Sequence, residues 1–151
     1  MNAGAPVALI SGCSTGIGRF LTTELAKRGW QVFATARDHA AIEDLKAPNV
    51  QTAALDVTDE KSIKTCVESV MANAGKIDML INNAGLLLIG PLSELEISEL
   101  RREFETNVIG LAALTHAVVP HMIKRTSGKI VNISSISGVL NTPFSGAYCS
   151  T

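Results

Sequence analysis

The sequence predicts an α/β fold, a doubly wound parallel sheet with helices on both faces. Three observations carry that expectation. Strand-like and helix-like segments alternate along all 151 residues, without repeats, low-complexity tracts or linkers. The strand-like runs are short and almost wholly apolar, as strands buried on both faces are. A glycine-rich turn, Ser11-Gly12-Cys13-Ser14-Thr15-Gly16-Ile17-Gly18, separates the first strand from the first helix.

The elements follow in order. Val7 to Ile10 is the first strand, ending at that turn. Ile17, Phe20, Leu21 and Leu25 recur at helical spacing, and Gly29 sits where a helix-terminating glycine belongs. Val32 to Ala36 reads as the second strand, Ala40 to Leu45 as a short helix and Val50 to Leu55 as the third strand. Thr58 or Asp59 can cap the next helix, whose apolar face is Ile63, Val67, Val70 and Met71. Met79 to Ile81 is the fourth strand. A long helical pattern runs from about Ser98 to Lys124, with Pro120 expected to kink its last turn. Lys129 to Ile133 is the fifth strand, and a loop rich in Ser and Gly follows it.

Composition narrows the function. The chain is 46% hydrophobic, and 13 basic against 14 acidic residues leave a net charge of −1. Neither a nucleic acid nor an anionic membrane surface is an expected partner. Cys13, Cys66 and Cys149 form no C-x-x-C pattern and are odd in number, which suits a reducing compartment. No apolar run reaches the roughly 18 residues of a membrane span, so no integral membrane segment is expected. Met1 to Pro6 has neither the basic region nor the apolar stretch of a signal sequence. The expected location is cytoplasmic, with peripheral attachment to endoplasmic reticulum or lipid droplets open to a longer protein. His39, His116 and His121 show no metal-ligand grouping, and no metal is expected. The charged stretch Glu94 to Glu105 reads as a solvated helix face. Leu86-Leu87-Leu88-Ile89 reads as core packing, with the border of an apolar substrate cleft as the alternative.

The chemistry concentrates at the strand ends. Gly12, Gly16 and Gly18 permit a tight turn whose backbone N–H groups approach a pyrophosphate at a helix N-terminus. Ser14, Thr15 and Ile17 complete that expected phosphate loop. Asn82-Asn83-Ala84-Gly85 follows the fourth strand, where ligands of open α/β sheets bind, and Asn83, Ala84 and Gly85 join the expected cofactor set. Asn107 is a poor residue for the middle of a helix, because its amide competes for backbone hydrogen bonds. Ser135 precedes Tyr148 by thirteen residues.

The G-x-x-x-G-x-G spacing, the Asn-Asn-Ala-Gly turn, Asn107 and the Ser135/Tyr148 pair together resemble the short-chain dehydrogenase/reductase family, over essentially the whole chain. The resemblance implies one Rossmann-type NAD(P)-binding domain over 1–151, truncated after its fifth strand. The family pairs its tyrosine with a lysine four residues on, a position that falls just past Thr151. The chain is therefore expected to be the N-terminal part of a longer enzyme, and inactive alone.

The resemblance also implies roles. Tyr148 exchanges a proton with the substrate oxygen, Ser135 hydrogen-bonds that oxygen, and Asn107 holds a water in the proton relay. Asp56 contacts the adenine edge, with Val57 beside it, or is simply a turn aspartate ahead of a helix. Cofactor choice is read at the end of the second strand, Thr35-Ala36-Arg37-Asp38. Arg37 can meet the extra phosphate of NADP bidentately. The alternative has Arg37 solvated and Asp38 serving NAD, so NADP (NADPH) is expected ahead of NAD. The substrate is expected to be a small-molecule carbonyl or alcohol, hydrophobic or lipid-like, as for family members acting on acyldihydroxyacetone phosphate, hydroxysteroids or retinol. The full-length protein is expected to be a homodimer or homotetramer. The alternative function is a catalytically inactive fragment or a dinucleotide-binding regulatory module.

Overall fold

A computed structural model describes residues 4–151. Residues 1–3, part of the segment read above as lacking a signal, lie outside the described residues. Five parallel strands form one sheet: β1 (Val7–Ile10), β2 (Gln31–Ala36), β3 (Val50–Ala54), β4 (Met79–Asn82) and β5 (Lys129–Asn132). Their order is β3-β2-β1-β4-β5. The chain therefore runs outward in one direction from β1, then returns to its other side, which leaves a crevice above the β1/β4 junction. Ala8 lies level with Val32 on one side and Met79 on the other.

Period-2 alternation splits the core between the two faces. Val7 and Leu9 join Phe33 and Leu80 beneath α2 (Glu60–Ala74) and α4 (Leu111–Lys124). Ala8 and Ile10 join Val32, Ala34 and Ile81 on the opposite face, beneath α1 (Gly16–Lys27). Ala40–Leu45 is a 3-10 turn rather than an α-helix, and it tucks Ile42 and Leu45 into that second cluster.

The apolar face expected for α1 is corrected in part. Leu21 and Leu25 pack on the sheet, but Ile17 and Phe20 are exposed, and Gly18 and Thr22 are buried in their place. The helix start lies so close to the strand ends that only small residues fit beneath it. In α2, Asp59 settles the cap by accepting from the Lys61 N–H, and Ile63, Val67 and Val70 are buried as expected. Gly75, with φ +71°, ends that helix in the left-handed conformation.

The long helix is continuous from Ile97 to Lys124 but not uniform. α3 (Ile97–Phe104) passes through a π-helical turn, Glu105–Gly110, into α4, and the helix continues through Pro120. By length and composition alone this helix could cross a membrane, with an 18-residue window of mean hydropathy 1.3. That departs from the expectation drawn from apolar runs. Leu114, Val118 and Met122 nonetheless lie in the core under the sheet, and Thr115 accepts a hydrogen bond from Asn82.

At the opposite end from the crevice, Asp78 ties three elements together. Its carboxylate accepts from the Val7 N–H at 2.9 Å, from Lys76 at 2.9 Å and from Arg125 at 2.7 Å. Burial pushes this carboxyl up, but the hydrogen bonds from Lys76, Arg125 and Val7 outweigh it and hold the group below its ordinary value. β5 is the sheet edge, as the family order implies, and its four residues are all exposed.

Candidate active site

The carboxyl ends of the strands open on a cleft of about 730 Å³. Every site residue read from the sequence except Gly18 lines it: Asp56 and Val57 after β3, Arg37 after β2, Gly12, Ser14, Thr15, Gly16 and Ile17 after β1, Asn83, Ala84 and Gly85 after β4, and Ser135 after β5, with Asn107 and Tyr148 also on its wall.

Gly18 is buried and acts from below the loop. A Cβ at Gly18 would stand 2.4 Å from Asn83 Nδ2 and 2.5 Å from the Gly12 carbonyl oxygen. Gly12, with φ +73°, is crowded as well, since its Cβ would meet Ala84 Cα at 2.8 Å. Gly16 differs: its φ is +60°, yet nothing would touch an added Cβ. Gly18 is therefore demanded by close approach, Gly16 by backbone conformation and Gly12 by both.

That geometry suits a dinucleotide. Thr15 stands at the N-cap of α1 without a side-chain cap bond, and the first turn carries no acidic residue. Free N–H groups and the positive end of a twelve-residue helix thus face the cleft where a pyrophosphate would sit.

Farther along, β2 ends at buried Ala36, and the exposed Arg37 follows it on the cleft wall. No hydrogen bond or ion pair within the described residues engages the Arg37 guanidinium. Asp38 is partly committed, because its Oδ1 accepts from the Ala40 N–H at 3.0 Å. Asp56 also closes a local turn, its Oδ1 accepting from the N–H and hydroxyl of Thr58 at 2.9 and 2.8 Å. Its second oxygen accepts no hydrogen bond among the described residues.

At the reaction end, Ser135 Oγ accepts from the Ser137 N–H at 3.1 Å and caps a 3-10 turn, Ile136–Gly138. A hydroxyl that accepts there keeps its own proton to donate. Ser134 is exposed and Ser135 half-buried. Tyr148 lies in α5 (Gly146–Cys149), which sets it against the same cavity. Asn107, within the π-helical turn, is a strut. Its Nδ2 donates to the Leu86 carbonyl at 2.9 Å and to Thr151 Oγ1 at 3.0 Å, and its Oδ1 accepts from the Leu86 N–H at 2.9 Å. One lone pair of Oδ1 is what this side chain has left for a water.

Two residues escaped the sequence reading, and two expectations change. Ser11 is 2% exposed, and its Oγ accepts from the N–H groups of Asn83 and Ala84, each at 3.0 Å. Asn83 Nδ2 returns the tie by donating to the carbonyls of Ser11 and Gly12 at 3.0 and 2.8 Å. A serine directly after a buried strand was the available signal. Glu103 lies in the stretch read as a solvated face, yet it is 0% exposed, because its carboxylate holds the Leu88 N–H at 2.9 Å. Leu86 and Leu87 are not core residues. They line the cleft, and Leu87 and Ile89 are exposed. The backbone after β4 leaves the sheet and is bonded to the long helix at Leu86 and Leu88. Among the described residues no group of His, Cys, Asp and Glu could hold a metal, and all three cysteines are free.

Comparison with known proteins agrees with this architecture. Residues 6–151 match the family model described as short chain dehydrogenase. Human retinol dehydrogenase 8 is 38% identical over 161 aligned residues, covering 100% of this chain and 51% of that protein. The 3-ketodihydrosphingosine reductase of Bacteroides thetaiotaomicron is 35% identical over 142 residues, covering 94% and 51%. A short-chain dehydrogenase from Streptomyces avermitilis superposes with a TM-score of 0.93 at 38% identity, covering 99% of this chain and 56% of that one. The chain spans about half the length of the curated relatives it matches. With the family model matched over residues 6–151, the chain belongs to the short-chain dehydrogenase/reductase family.

Proposed function

We propose that the protein carrying this chain is an NADP-dependent oxidoreductase that interconverts a carbonyl and a secondary alcohol, and that residues 1–151 are its NAD(P)-binding domain. One observation carries the reading: a single cleft is lined both by the glycine-rich loop with Arg37 and by Ser135 and Tyr148. When bound, the nicotinamide supplies or accepts the hydride.

The chain's own residues handle the oxygen. In the reductive direction Tyr148 gives its hydroxyl proton to the developing alkoxide, and Ser135 donates a hydrogen bond to the same atom. Asn107 keeps the segment after β4 at a fixed distance from that point. An ordinary tyrosine has a pKa of about 10 and needs a neighbouring cation to work near neutrality. The family's lysine would supply that charge.

The NADP preference is supported by Arg37, a guanidinium on the cleft wall with no partner among the described residues, and by the partial engagement of Asp38 in its own turn. A hydrophobic or lipid-like substrate is supported by Leu86 and Leu87 in the cleft wall and by relatives named for retinol and 3-ketodihydrosphingosine. We place the protein in the cytoplasm, with peripheral attachment to endoplasmic reticulum or lipid droplets, as a homodimer or homotetramer. The test is NADPH-linked carbonyl reduction by the intact protein. Tyr148→Phe should lower turnover by about 10²–10⁴-fold and leave the NADPH dissociation constant nearly unchanged. A variant that keeps a tenth or more of the wild-type rate would refute the assignment of Tyr148.

A further inference from the structure

The segment Gly85 to Ile89 follows β4 and its first three residues line the cleft, yet it has no strand partner among the described residues. Its backbone is held by the long helix. Asn107 bonds both the N–H and the carbonyl of Leu86, and Glu103, four residues earlier, accepts from the Leu88 N–H. The spacing explains why two side chains suffice. Four residues along a helix rise about 6 Å, and two residues of extended chain span about 6.6 Å. A segment running from Leu86 to Leu88 therefore matches, antiparallel, a helix read from Asn107 back to Glu103. Between the two anchors Leu87 lines the cleft, 53% exposed.

Glu103 is an unusual choice for this post. It is 0% exposed, its Oε2 is buried without a hydrogen-bond partner, and no ion pair involves it among the described residues. A buried, half-satisfied carboxylate disfavours folding. What it offers in return is a side-chain oxygen long enough to accept from a single backbone N–H.

We propose that Glu103 is a positioning residue for the substrate side of the cleft: its buried carboxylate fixes the Leu86–Leu88 segment and so the place of Leu87 against an apolar alcohol or carbonyl. The proposal rests on the oxidoreductase function above. Glu103 touches neither cofactor nor reacting atoms. It acts through the Leu88 N–H.

The decisive comparison is between Glu103→Leu and Glu103→Gln in the intact protein. Leucine suits the buried environment and should fold, but it has no acceptor. Glutamine keeps an oxygen for the Leu88 N–H. We expect E103L to raise KM for a bulky apolar alcohol or ketone by about fivefold or more, with kcat and the NADPH dissociation constant changed less than twofold. E103Q should restore a near wild-type KM. A purely structural role would instead lower the melting temperature without this KM-against-kcat split. If E103L leaves KM within twofold, or E103Q is as impaired as E103L, the proposal is wrong.

Amide exchange separates this proposal from the oxidoreductase reading and needs no turnover. The Leu88 amide should lose at least tenfold of its protection in E103L and keep it in E103Q. Should E103L not fold, E103Q against Glu103→Met is read the same way. If the wild type turns over no alcohol or carbonyl, the oxidoreductase reading fails while the exchange result still decides whether Glu103 holds Leu88. Equal Leu88 exchange in all variants would overturn the proposal outright.

Discussion

Removing the Ser11 hydroxyl should damage both fold and cofactor site, and the size of the damage follows from two hydrogen bonds. Ser11 Oγ accepts from the N–H groups of Asn83 and Ala84, each at 3.0 Å, while its contact to the Ile81 carbonyl at 3.5 Å is too long to contribute much. Ser11→Ala deletes only that acceptor. The backbone bond from the Ser11 N–H to the Ile81 carbonyl is untouched. Two donors lose their partner, and an orphaned buried donor costs about 1–3 kcal/mol. Both lie in residues of intermediate exposure, so water recovers part of the loss. A total of roughly 2–4 kcal/mol is the reasonable figure, a large share of a net stability of about 5–15 kcal/mol.

Asn83 and Ala84 also line the cleft, so NADPH should bind more weakly in the same variant. Urea unfolding of the intact protein gives the first quantity, and fluorescence titration with NADPH the second. Ser14→Ala is the control. Ser14 is half-buried and makes no hydrogen bond among the described residues, so its loss should move stability by less than about 0.5 kcal/mol while still weakening the cofactor. An S11A protein as stable as wild type would refute the idea that Ser11 splices the two strand ends.

Two further outcomes are expected. Arg37→Ala should weaken NADPH by about 1.5–3 kcal/mol, the worth of a charge-assisted phosphate contact, and leave NADH nearly unchanged. Equal losses in calorimetric titrations would contradict the NADP assignment. Asp78→Asn should destabilise by roughly 1–3 kcal/mol at neutral pH. Its carboxyl titrates below the ordinary value in the folded state, so its contribution is fully present well above the unfolded pKa of about 3.9 and fades as pH falls through the lower folded one. The gap between wild type and D78N in urea melts should therefore narrow as pH drops below about 4. A gap of equal size at pH 3 and pH 7 would argue against the linkage.

What could be read from the sequence, and what could not, divides along a physical line. The strands were legible because burial on both faces demands near-continuous apolar runs, and because glycine ends the first of them at Ser11-Gly12. The phosphate loop was legible because its glycines answer local needs: a left-handed φ at Gly12 and Gly16, and contact distances at Gly12 and Gly18. Residues whose duty lies in a distant contact were harder to see. The Ser11 hydroxyl serves N–H groups more than seventy positions away, and nothing in its neighbours says so. Glu103 is harder still, because among Glu94, Glu96, Glu99, Arg101, Arg102 and Glu105 a buried carboxylate looks like one more solvated charge.

The π-helical turn was invisible for a related reason. One extra residue in a turn leaves the apolar pattern on either side intact, so Leu114, Val118 and Met122 announce a helix and the irregularity before them stays silent. Only Asn107 hinted at it, as a residue that a plain helix interior disfavours. Gly110 ends the irregular turn at a close approach. Its Cβ would meet the side chain and carbonyl of Val57 at 2.8 Å, so the helix passes directly against the turn that carries Asp56. The same helix thus holds Leu86 and Leu88 through Asn107 and Glu103, and abuts the Asp56–Val57 turn on the cleft wall through Gly110. A sequence reading that treats helices as scaffolding and loops as function will miss an element that is both.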